Sequence, residues 1–397
     1  MKNTFSLLLI LFCFISCHHN KNSNETPLTT KTVVNSLEIE KEISDSVELE
    51  LSEIADNLQI VRLETLESVV MGGIYSMVLW EDYIVIGTER DYYLFDSRGK
   101  FIRKLLKTGR GPEEFISPKF SQVVKNGVLF FVDAQKNKKY IYSVDLKIGR
   151  LDRILRSNDG YIHDFLPDTD TTFIVLSDDF VRDKNSAISA TISYSLIRQD
   201  YNGTLLNEIP LGIEQGAFMF KPIFYSMFIN KDEILISKPR FDTLYKFTDF
   251  KVEPIWQNIF QTNYNDHLSE QKITNAELIH YSENSILIRK YTTDINTNKV
   301  WNRNAHLMFV DRKNHITKVI KELYFKDRNM PVDFSSDIQL NNDMFCIVLK
   351  AKDMDKLLKN PLINNSVAEI IISDTPRTNL QITDFDNPFL LIGKFKN

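Results

Sequence analysis

Cysteine, glycine and proline are all scarce in this chain of 397 residues, at 3, 13 and 12. Cys13 and Cys17 lie in the first 20 residues and leave Cys346 alone, so neither a disulfide framework nor a cysteine-rich metal site can form in the folded part. Cys346 lies in the apolar run MFCIVL and reads as a small core hydrophobe. A basic excess is also missing. The net charge is −5, and removing the first sixteen residues with Lys2 takes it to about −6, which argues against a nucleic-acid partner. After the leader, no apolar run approaches the ~20 residues of a membrane-spanning helix. Helical periodicity is rare as well, with one good stretch at AKDMDKLLKN (351–360).

What is present begins with an address. Lys2, an apolar run from Phe5 to Ile15 and then Ser16-Cys17 make a secretory signal over residues 1–16, and Phe14-Ile15-Ser16-Cys17 resembles a bacterial lipoprotein cleavage box. That resemblance makes Cys17 the acylated first residue. From 17 to 52 the chain is rich in Asn, Lys, Thr, Ser and Glu and has no aromatic residue, which predicts a polar tether.

From residue 53 on, short strand-like runs recur in groups separated by turn residues. YIVIGT, YYLFD and FIRKLL (83–106) are followed by VLFFVD, YIYSVD and LDRIL (128–155), then by TFIVLS, ISYSLIRQD and LLNEIP (172–210). EILISKP, TLYKF and VEPIWQNIF (233–260) continue the series, as do SILIRKY, AHLMFVD and ITKVIKEL (285–323), and MFCIVLK with NPFLLIGKF completes it. One more strand precedes each group. Six units of roughly 44 to 62 residues, each with four antiparallel strands, predict an all-β, six-bladed β-propeller over 53–397 with a helical insertion near 351–360. The sixth unit lacks a strand, and DNLQIVRLET (56–65) stands alone before the first. Gln59–Glu64 is therefore expected as the outermost strand of blade six, closing the ring.

The stretch KTGRGPEEFISP (107–118) could cradle a phosphate, work as an acid/base pair or turn a corner. No Gly-Lys-Ser/Thr follows and no helix begins there, so a phosphate loop is excluded. Glu113 and Glu114 are neighbours on an extended segment and read as solvated turn charges rather than a catalytic pair. Gly109 and Gly111 are assigned to unusual backbone angles, Pro112 to stiffening and Phe115 to burial between blades. Asp168-x-Asp170-x-Thr172 lacks the glycine and distal glutamate of a calcium loop and reads as a turn. The histidines show no metal-like spacing, and no nucleophile motif occurs, so neither a catalytic nor a metal residue is assigned.

Residues 83–155 resemble the NHL-type propeller repeat on Gly109, Gly111, Pro112, Phe115 and Pro118 in the turn, with Asp133 and Asp145 ending strands. The whole chain is similar to six-bladed, NHL-like propeller lipoproteins of Gram-negative envelopes, a family of uncharacterised function. The resemblance implies a lipid-anchored envelope protein, on the periplasmic side of the outer membrane. The longest second-to-third-strand connections, Asp178–Ala190 and Thr292–Asn304, share one face with the blade-to-blade turns. Arg110, Glu113, Arg182, Lys184, Trp301 and Arg303 are the candidate contacts there for a peptide, glycan or protein partner, with no cofactor. The alternative is a metal-dependent hydrolase or lactonase with its site at the central channel, since gluconolactonase-like propellers use a metal there; calcium is the cofactor that alternative would allow.

Overall fold

The computed structural model describes residues 35–36, 46–69, 71, 73–88, 90–111, 114–115, 118–133, 140–155, 161–182, 189–217, 226–230, 233–237, 243–257, 272–294, 304–314, 316–325, 330–332, 339–341, 343–359, 371–372, 382–383 and 386–396. Three short strands come first: β1 (Asn35–Ser36), β2 (Val47–Glu50) and, after the one-turn helix α1 (Leu51–Ile54), β3 (Ala55–Arg62). Blade one then runs β4 (Ile74–Trp80), β5 (Tyr83–Thr88), β6 (Asp91–Asp96) and β7 (Phe101–Lys107). Blade two has β8 (Pro118–Lys125), β9 (Val128–Asp133), β10 (Tyr140–Asp145) and β11 (Leu151–Leu155). Blade three has β12 (Tyr161–Pro167), β13 (Thr172–Arg182), β14 (Ser189–Asp200) and β15 (Leu205–Ala217). Blade four has β16 (Ser226–Asn230), β17 (Glu233–Ser237), β18 (Thr243–Thr248) and β19 (Lys251–Gln257). Blade five has β20 (Lys272–Tyr281), β21 (Ser285–Asp294), β22 (Asn304–Asp311) and β23 (Ile316–Phe325), with β24 (Met330–Pro331) paired back on β23. Blade six combines β25 (Gln339–Asn341), β26 (Met344–Leu349) and β28 (Phe389–Phe395), while α2 (Ala351–Lys359) and β27 (Ile371–Ile372) occupy the connection between β26 and β28. The protein is a six-bladed propeller.

The ring closes with the N-terminal strand. β3 pairs antiparallel with β28, placing Ile60 opposite Leu391 and Val61 opposite Leu390. It is the fourth strand of blade six but not the outermost, because β27 adds in parallel on its far side with Ile371 opposite Ile60. Two-residue alternation sends neighbours on β3 into different spaces: Ile60 packs between blades five and six, Val61 between blades six and one. Among the described residues, the buried apolar side chains do not gather in a single core. Burial is divided instead among six inter-blade wedges, each built from facing strands of adjacent blades. Cys346 is fully buried in the wedge between blades six and one, where desolvation pushes its thiol pKa up.

The polar tether expected over 17–52 does not extend that far. β1 pairs in parallel with β19, and β2 pairs in parallel with β23. Leu49 and Leu51 are buried in the wedge between blades five and six. VELELSEI carries alternating apolar residues inside an acidic composition, so a composition average hides a buried strand and helical turn. Residues 1–34, including Cys17, lie outside the described residues.

Aspartates at the ends of third strands cap the turns that follow. Asp96 Oδ1 accepts from the Arg98 and Lys100 amides at 2.9 Å each. Asp145 Oδ1 does the same for Lys147 and Ile148, and Asp200 Oδ1 for Asn202 and Thr204. The Thr204 amide is the main cause of the lowered Asp200 pKa. In the first of these turns Gly99 has φ 81° and lies so close to blade six that a Cβ would stand 2.0 Å from the Arg62 carbonyl oxygen. A side chain there would be strained and would also push blade one off the closing strand.

His280, on the inner strand of blade five, stacks on Phe395 of the closing strand pair at 4.5 Å. Desolvation lowers its pKa to about 4, against the opposing pull of Asp343 and of a backbone hydrogen bond with Lys396. An unfolded chain, with histidine near 6.5, takes up the proton first, so the contribution to stability is intact above about pH 6.5 and declines by up to roughly 3 kcal/mol towards pH 4. Denaturant midpoints of wild type and His280→Phe measured between pH 4 and 7.5 should diverge in that window, with the variant losing less stability as pH falls. Parallel curves would contradict the assignment.

Candidate binding face

Two direct contacts show that blade-to-blade connections and second-to-third-strand connections meet at one end of the strands. Between blades one and two, the Thr108 amide donates to the Arg90 carbonyl at 2.8 Å, and the Thr108 hydroxyl also bonds to that oxygen. Arg90 lies in the β5–β6 connection, which Thr88 organises by accepting from the amides of Arg90 and Asp91. Between blades six and one, Asn387 performs the same junction in buried form. Its Nδ2 donates to the carbonyls of Glu64 and Val69 at 2.8 Å, its Oδ1 accepts from the Met71 amide at 2.9 Å, and its own amide donates to Thr65 Oγ1.

The glycine turn does cradle an anion, and the anion is its own. Glu114 Oε2 accepts from the Gly111 amide at 2.8 Å, and a Cβ on Gly109 would stand 1.8 Å from that oxygen. The glycines are therefore needed for close approach. Neither has the positive φ expected for it, and Glu114 is half-buried rather than a solvated charge. Adjacent residues on an extended chain point apart, but here Glu114 folds back: its amide donates to the Gly111 carbonyl at 3.3 Å, and its carboxylate meets the Gly111 amide. Phe115 is fully buried in the wedge between blades one and two, with ring centroids 5.0 Å from Tyr92 and 6.0 Å from Phe131. Pro112 and Glu113 lie outside the described residues.

This end of the ring is uneven. In blade three the last pair between β12 and β13 is Tyr161 with Asp178, yet β13 and β14 continue pairing to Arg182 with Ala190. β15 follows them out to Ala217 opposite Ser189, so a three-stranded ribbon extends past the inner strand. Blade five has a long hairpin in which Asp294 pairs with Lys272 and Thr292 with Asn304. Blade six contributes the insertion with α2 to the same class of connection. Arg110 is exposed in the glycine turn, and Arg182 ends β13 at the rim of the ribbon. Lys184, Trp301 and Arg303 lie outside the described residues, in the connections that follow Arg182 and Asp294.

Asp168 and Asp170 do not converge. Asp168 pairs with Arg198 at 2.7 Å and accepts from Thr172 Oγ1, while Asp170 reaches across to Asn126 and Lys125 of blade two. Among the described residues, no three His, Cys, Asp or Glu side chains are grouped so that they could hold a metal ion. Sequence reasoning missed Asn387 because its four partners lie more than 300 residues away in the chain.

A family model described as a domain of unknown function (DUF4934) matches residues 34–394. The chain belongs to the DUF4934 family. Its start at residue 34 agrees with the ring taking up β1 and β2, and its span takes in all six blades. Among solved structures, this DUF4934 ring is similar to a Bacteroides fragilis NCTC 9343 protein provisionally described as exported, with TM-score 0.60 and 13% identity over 91% of this chain and 100% of that one. YCF48 bound to D1 peptide is less similar, with TM-score 0.40 and 8% identity over 86% and 98% of the two chains. The WD40 domain of Neurospora crassa Pan2 has TM-score 0.38 and 11% identity over 88% and 98%. No curated protein matches.

Gly109→Ala should cost on the order of 1–3 kcal/mol by driving Glu114 off its amide. The double variant Gly109→Ala/Glu114→Ala should lose less than the sum of the single losses, and urea unfolding of the four proteins of this cycle measures the coupling. Additive losses would show that carboxylate and glycine are unrelated. Asn387→Leu leaves two carbonyls and an amide without their partner and should cost roughly 2–4 kcal/mol in the same assay.

Proposed function

We propose that this protein is a lipid-anchored propeller of the cell envelope that binds a peptide, glycan or protein partner through the end of the ring carrying the glycine turn, the blade-three ribbon and the blade-five hairpin. One observation supports it most: strands of blade three run past their inner strand at the end where the other blades place their connections. Such ribbons make walls around a face, and in a repeat ring loops enlarged on one face are where ligands are met. Cys17 is the lipid attachment in this reading, with residues 17–34 as tether and the periplasmic side of the outer membrane as address. A B. fragilis relative in fold, provisionally described as exported, fits that address.

Two experiments separate the parts of the reading. Cys17→Ser should abolish labelling by palmitate in a Gram-negative host and shift the protein from the membrane to the soluble fraction. Retained label would remove the anchor but not the binding face. Replacing 183–188 and 295–303 by Asn-Gly turns should reduce cross-linking to its envelope partner at least about tenfold, with a thermal midpoint within about 2 °C of wild type. Unchanged cross-linking would overturn the face. Calcium-dependent turnover of a lactone or ester would replace this reading with the hydrolase alternative.

A further inference from the structure

The outer strands of the six blades differ in what lies beyond them. Blades four, five and six each accept a short extra strand in parallel, β1 on β19, β2 on β23 and β27 on β3, and β23 also takes β24 in an antiparallel hairpin. Among the described residues, β7, β11 and β15 end their sheets. β7 carries Arg103, Lys104 and Lys107, and β11 is only five residues long with Asp152 and Arg153. Lysine and arginine along an edge and short edge length both discourage pairing. β15 has neither protection. It is thirteen residues long and carries no Lys or Arg.

β15 also repeats the local geometry that precedes an added strand. In β19, Pro254 opposes Tyr245, a bulge follows at Ile255, and Trp256–Gln257 then receive β1. In β15, Pro210 opposes Ser195, a bulge follows at Leu211, and Gly212 and Ile213 then oppose Tyr194 and Ser193. Gly212–Ala217 thus corresponds to the seat of β1, and it continues along the ribbon that rises at the proposed binding face.

We propose that the outer edge of Gly212–Ala217 receives an extended peptide segment of a partner, added in parallel as a fifth strand of blade three. Main-chain hydrogen bonds provide the attachment, as in strand addition generally. The charge of the strand selects the partner. The seat Gly212–Ala217 has one acidic residue, Glu214, and no basic one, so a lysine-bearing segment is complementary. A second copy joined edge to edge would bring this acidic strand against itself, with no basic residue to answer it. The inference rests on the binding reading above and names the form of the ligand.

The test uses the full folded protein and a fluorescein-labelled octapeptide of alternating Lys and Val. The expected result is saturable anisotropy with slowed hydrogen exchange at the amides of 212–217. A peptide N-methylated at alternate residues, and one with Glu in place of Lys, should each bind at least about tenfold more weakly. In a strand, successive amides point to opposite edges, so one of Glu214→Pro and Gln215→Pro removes an outward N–H and the other an inward one. The outward variant should lose the peptide and keep the wild-type thermal midpoint. Exchange slowed elsewhere, equal binding of the N-methylated peptide or full binding by both proline variants would each overturn the proposal. A dimer in light scattering that the outward proline abolishes would assign the edge to a second copy and overturn it too. Because the peptide needs neither 183–188 nor 295–303, its failure leaves the loop-face result standing, and failure of the loop exchange leaves this one.

Discussion

A propeller blade has two apolar faces and cannot bury either one alone. Every wedge in this ring depends on its two neighbours being held at the right separation, and that separation is fixed only when the last gap is shut. The antiparallel pairing of β3 with β28 shuts it. Ile60 and Val61 show the economy of this solution, since adjacent residues on one strand complete two different wedges. Around it sit secondary fastenings: His280 against Phe395, Gly99 against the Arg62 carbonyl, and Asn387 across the junction from blade six to blade one.

The same requirement explains what was legible in the sequence. Strand runs of about six residues, alternating and separated by turn residues, report blades because each strand is read locally. The closing strand was also legible, as an isolated strand at one end and a deficit at the other. What could not be read was anything set by distance through space. Asn387 looks like an ordinary loop asparagine until four partners from beyond the N-terminal side of blade one surround it. β2 and α1 were hidden because burial on an outer edge rests on three residues, Leu49, Leu51 and Ile54, and their acidic neighbours dominate the composition.

The glycine turn is the instructive middle case. Its residue types announced a tight turn, and Phe115 announced a buried anchor. Which role the glycines played depended on Glu114 folding back, and a residue string cannot state that its own carboxylate is the nearest anion. Candidate contacts at the binding face were legible only as places. Connectivity puts Arg110 and Arg182 at the same end of the strands in different blades, and it gives no chemistry by itself.

The parallel additions of β1 and β2 have a mechanical meaning. They precede the closing strand in the chain, so a load entering from the N-terminal side meets two short seams before it meets β3. The two-residue seam of β1 can peel and re-form at small cost, whereas β2 opens only when Leu49 leaves its wedge. A pull on that end would therefore meet graded stitches on the perimeter before it reached the clasp.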